Sequence, residues 1–75
     1  MKEEQLFASP CIRDCAIETT CSNLVMAGGI LTPTEIASFM TQLTGYTDVQ
    51  LGIALIESRL LLDNYYKKIA KERRN

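Results

Sequence analysis

The 75-residue sequence predicts an all-α fold. Three helices are expected, the last two forming a short–long hairpin, with the chain pairing into a homodimer through its long C-terminal helix. Three observations lead there. Helix-capping signals recur at three points. Apolar residues repeat at helical rather than strand spacing. The last helix also carries two apolar stripes, more than the second helix alone can cover.

The first start is Ser9-Pro10. Serine caps, and proline suits the first helical position, where its missing N–H is not needed. The helix should run to about Ala27, with Ile17, Cys21, Leu24 and Val25 on one side, and Gly28-Gly29 should end it. The second start, "LTPTEI", has Thr32 as N-cap, Pro33 next and Glu35 three residues after the cap, the pattern of a capping box. Leu31 and Ile36 can pack across it as a hydrophobic staple. Ile36, Phe39, Met40 and Leu43 then make an amphipathic stripe, and Gly45 stops the helix.

The device repeats in "YTDVQL": Thr47 caps, Gln50 closes the box, Tyr46 and Leu51 form the staple, and Asp48 suits the positive end of the helix dipole. No proline interrupts the chain from Asp48 to about Arg73. Leu51, Leu55, Leu62, Tyr65 and Ile69 lie along one stripe of this helix, interrupted by Ser58. Ile53, Ile56 and Leu60 lie along another. One stripe can cover the second helix, and the other needs the first helix or a second copy. The interface residues expected are Leu51, Leu55, Ile56, Leu62, Tyr65 and Ile69, and a two-fold pair is the commonest way to bury such faces.

A chain this short makes a single domain, residues 1–75, with a marginal core of its own. Residues 1–8 are expected to be flexible. The longest apolar run, residues 24–31, is too short to span a membrane, and the acidic N-terminus does not read as a secretory signal. The expected location is therefore the cytoplasm, with reduced thiols. Residues 1–66 carry three Lys/Arg against eight Asp/Glu, whereas residues 67–75 carry five against one. The body should repel a polyanion and the tail should attract one.

Three cysteines fall within "SPCIRDCAIETTC". Their C-x3-C-x5-C spacing lacks the fourth ligand and the usual C-x2-C unit of structural zinc. A redox pair lacks the C-x-x-C motif, and only Arg13 is a nearby cation. The expected role of Cys11, Cys15 and Cys21 is to fill the core or an interface as small hydrophobes. No cofactor and no metal are expected. The chain has no histidine, so the commonest general base is missing. Asp14, Glu18, Glu35, Asp48, Glu57 and Asp63 each have a surface or capping explanation. No serine sits in a nucleophile elbow, and "MAGGIL" lacks the lysine of a phosphate-binding loop. These features argue against an enzyme.

The cations Lys67, Lys68, Lys71, Arg73 and Arg74 satisfy the negative end of the last helix dipole. The functional reading beside this is contact with phosphates, on nucleic acid, or with an acidic protein. A helix-turn-helix is disfavoured, because the helix after "LTGYTD" opens acidic and apolar where base contacts would be needed.

Residues from about 20 to 65 resemble the YmgB/AriR family of small enterobacterial regulators. The resemblance runs through "CSNLVMAGG", Gly29-Ile30-Leu31-Thr32, a short helix with Ile36 and Leu43, then Thr47-Asp48 opening a leucine-rich helix through Leu55 and Leu61. The chain departs from the family at Leu43-Thr44, in its cysteines and in its basic tail. The resemblance implies a homodimeric helical protein tied to biofilm formation, acid resistance and phosphorelay signalling, with DNA association. It carries no catalytic residue.

The expected function is that of a small non-enzymatic regulator that binds a signalling or transcription protein. Two alternatives remain open: a nucleic-acid binder working through the tail, and a structural or chaperone-like subunit of a hetero-complex.

Overall fold

The computed structural model describes residues 9–73; residues 1–8 and Arg74, named above, lie outside them. The described chain is all-α, with no strand. Helix α1 spans Pro10–Met26, a 3₁₀ turn Pro33–Glu35 leads into α2, Ile36–Thr44, and α3 spans Asp48–Arg73. None of these helices is long and apolar enough to cross a membrane.

Helices α1 and α3 start where their caps predict, whereas the Thr32 cap opens the 3₁₀ turn and α2 itself begins only at Ile36. The Ser9 hydroxyl accepts from the Ile12 N–H at 3.3 Å, with Pro10 in the first turn. At α2 the Glu35 carboxylate accepts from both the N–H and the hydroxyl of Thr32, each at 3.0 Å. At α3 the box is reciprocal: Thr47 N–H donates to Gln50 Oε1 at 2.9 Å, and Gln50 N–H donates to Thr47 Oγ1 at 3.1 Å. These bonds satisfy backbone donors that a helix start leaves without partners.

The hydrogen bonds that Glu35 accepts from Thr32, the backbone N–H above all and then the hydroxyl, hold its carboxyl below the usual glutamate value. A lowered folded-state pKa stabilises the protein above the ordinary glutamate range, and this contribution is lost as the pH falls through the lowered value. Glu35→Gln should remove it. The gap between the wild-type and Glu35→Gln melting temperatures is expected to shrink as the pH drops below the ordinary glutamate range. A gap independent of pH would contradict the capping role.

Helix α1 ends at Ala27, whose N–H returns to the Asn23 carbonyl at 2.9 Å. Gly28 and Gly29 follow with φ of +76° and +77°, a conformation glycine adopts without a Cβ penalty. Gly28 has a second constraint. A Cβ there would lie 3.1 Å from Tyr65 Cε1, so the α3 ring closes over the turn.

The core joins all three helices. Ala16, Ile17 and Cys21 of α1 meet Leu31 before the turn, Leu43 of α2 and Leu51 of α3, with Leu43 and Leu51 fully buried. Ile36 and Tyr46, the other halves of the two staples, pack against this cluster with Phe39, Met40 and Leu55. Helix α1 is the chief partner of α3, and α2 packs mainly on α1. The short and long helices are connected as a hairpin, but the first helix, not the short one, is the main cover of the long one.

One buried polar contact links α1 to α3. Asn23 donates to Ser58 Oγ at 3.1 Å, and Ser58 in turn donates to the Leu55 carbonyl at 2.8 Å. Thr20, also fully buried, donates to the Ala16 carbonyl at 2.8 Å. Ser58 interrupts the apolar stripe because it faces Asn23.

Candidate interaction surface

Burial along α3 separates its two apolar stripes. Leu51, Ser58 and Leu62 are closed within the chain's own core, and Leu55 is half-buried against it. Tyr65 covers Gly28 and Ile69 is half-buried. Leu51 and Leu62 therefore have almost no surface to offer a second chain, because α1 and Leu43 already occupy that side. Of the six residues expected at an interface, Ile56 alone is largely uncovered, at 62% exposure.

Ile56 belongs to the other stripe. Ile53 and Leu60 are 52% and 57% exposed, and Val49, one turn before Ile53, is 46% exposed. The 4-3-4 spacing of residues 49, 53, 56 and 60 places them in one line, the spacing of a coiled-coil seam. This line runs along the side of α3 turned away from the core. Next to it, Leu55, Ile56, Arg59 and Leu60 form a mostly apolar groove of about 360 Å³ with Thr19 and Asn23 of α1. Singly exposed apolar residues are ordinary, but four in line beside an apolar groove make a continuous exposed apolar strip.

A different device closes the end of the bundle where α3 begins. Arg13 on α1 pairs with Asp48 at the start of α3, and it also donates to the carbonyls of Thr44, at 3.3 Å, and Tyr46. One guanidinium fork thereby ties α1 to the α2–α3 junction. Both side chains are largely buried, at 23% and 15% exposure. The Arg59–Asp63 pair, one turn apart at 3.1 Å, is more exposed and adds little.

No protein-family model, curated protein or solved structure matches this chain.

The basic residues lie beyond the core. Leu62 is the last buried side chain on α3, and Lys67, Lys68, Lys71 and Arg73 are all exposed. They project from the last two turns, past the point where Tyr65 meets the α1 turn.

The cysteines separate into two kinds. Cys21 is buried in the core, as expected for a small hydrophobe, and burial pushes its thiol pKa up. Cys11 and Cys15 are exposed, so within this chain they fill no core. Among the described residues, no group of three or more His, Cys, Asp or Glu is placed to hold a metal ion. A second groove, about 350 Å³, is lined by Asp14 and Glu18 with Ile17, Met40, Thr41 and Thr44.

Sequence reasoning missed Arg13 and the Asn23–Ser58 pair. The break in the stripe at Ser58 was the one available signal for that pair. Arg13 gave none, since its partners lie more than thirty residues away.

Proposed function

We propose that this protein is a small non-enzymatic regulator that acts by binding, with the outer face of α3 as its working surface and a second copy of the chain as its first occupant. The observation that carries this reading is the exposed line Val49, Ile53, Ile56 and Leu60. Water contact with large aliphatic side chains is costly, at about 25 cal/mol per Å².

The line suits a copy of itself. In an antiparallel pair, Ile53 would face Ile56 of the second chain and Val49 would face Leu60, so one stripe satisfies both partners. Charge favours the same arrangement. Residues 9–65 carry two Lys/Arg against six Asp/Glu, and residues 66–73 carry four Lys/Arg against one Glu. An antiparallel pair brings the basic end of each α3 toward the acidic body of the other and sets the two helix dipoles opposed.

A dimer of this kind presents two basic arms and two acidic grooves to a signalling or transcription protein. Assignment to biofilm and stress-response regulation rests on the resemblance to the YmgB/AriR family. The test is Ile53→Glu with Ile56→Glu. Both positions are exposed, so helicity should persist while self-association is lost. Self-association equal to wild type would refute the surface.

The exposure of Lys67, Lys68, Lys71 and Arg73 supports a second reading, contact with nucleic acid. Fluorescence anisotropy with a labelled DNA duplex should then show binding that weakens steeply with salt. Neutralising the four residues should abolish it, and equal binding by the neutralised protein would exclude the tail.

A further inference from the structure

We propose that Cys11 and Cys15 form a two-thiolate site for a soft, thiophilic monovalent ion, with copper(I) as its representative. Free cysteine is among the most buried residue types. Cys21 follows that rule, whereas Cys11 and Cys15 stand exposed on α1. Packing within the chain gives no reason for thiols at these two positions.

Their spacing does. Residues four apart on a helix lie one above the other, with Cβ atoms about 5–6 Å apart. A disulfide needs Cβ atoms about 3.5–4.5 Å apart, so the pair cannot close on itself while α1 stays helical. A bridging ion relaxes that limit, because each metal–sulfur bond adds about 2.3 Å. The first turn is held in place by the Ser9 cap and by Pro10. Arg13, between the two thiols in sequence, is committed to Asp48 and the α2–α3 junction.

Donor count and type select the ion. Structural zinc takes four ligands, and among the described residues no third metal-binding side chain joins this pair. Soft thiolates in low number suit copper(I). Binding is a ligand exchange. Cu⁺ forms two Cu–S bonds, the two S–H bonds break, two protons pass to solvent, and no electron is transferred. The product is a thiolate–copper–thiolate bridge with one negative charge.

The test is anaerobic titration of the full chain with copper(I) buffered by a chromogenic copper(I) chelator, followed by thiolate-to-copper absorbance. The wild type and Cys21→Ser should each take one ion per chain with the same affinity. Cys11→Ser and Cys15→Ser should each bind about a hundredfold or more weakly, because the second thiolate no longer acts at high effective concentration. Equal zinc should not displace the copper. Wild-type affinity in either single variant would assign the copper to a bridge between chains or to another site, and would overturn the proposal, as would no binding by the wild type. The circular-dichroism spectra of Cys11→Ser and Cys15→Ser should match wild type, because both positions are exposed.

Discussion

Leu43→Ala is expected to remove most of the protein's stability. Leu43 is 0% exposed and sits in the core where α2 meets α1 and Leu51. Truncating a fully buried leucine costs about 3–5 kcal/mol, through lost transfer energy and the cavity left behind. A domain of this size has about 4–11 kcal/mol in total. The cost should fall near its upper end, because the cavity would lie where residues of all three helices meet. Urea denaturation followed by circular dichroism measures it. Leu61→Ala is the control: Leu61 is 43% exposed and should cost well under half as much. Similar losses at the two positions would contradict the placement of the core.

Arg13→Ala should have the next largest effect, about 2–3 kcal/mol. Removing one partner of a buried ion pair costs about 3–5 kcal/mol, because the remaining charge has lost its counterpart. The loss is smaller here because Arg13 and Asp48 retain 23% and 15% exposure. Besides Asp48, the guanidinium serves the carbonyls of Thr44 and Tyr46. Lysine, a single point charge, cannot reproduce that fork, so Arg13→Lys should recover less than half of the loss. A double-mutant cycle with Asp48→Asn should give a coupling of about 1–3 kcal/mol. Coupling near zero would mean that the pair does not hold α1 to the junction.

The parts of this fold legible in the sequence are those decided by short-range chemistry. Ser9, Thr32 with Glu35, and Thr47 with Gln50 mark helix starts because each cap closes within three residues of itself. The positive-φ glycines after α1 were equally local. The i, i+3, i+4 stripes placed Ile17, Cys21 and Leu43 in the core for the same reason.

What sequence did not reveal was which helix meets which face. Two stripes on α3 were visible, but only the fold shows that α1 takes the Leu51–Leu62 side and leaves Ile53, Ile56 and Leu60 outside. That choice depends on Asn23 meeting Ser58, thirty-five residues away, and on Arg13 reaching Asp48 over the same separation. Neither contact leaves a periodic signal. The cysteines illustrate the same limit. Composition alone treats three thiols alike, yet α1 buries Cys21 on its core face and leaves Cys11 and Cys15 in water.

The central claim is that the exposed line on α3 is covered by a second copy of the chain. Sedimentation equilibrium of the wild-type protein across a range of micromolar concentrations tests it most directly. The mass is predicted to rise with concentration toward twice the 8.4 kDa of one chain. A mass that stays at 8.4 kDa throughout would contradict it.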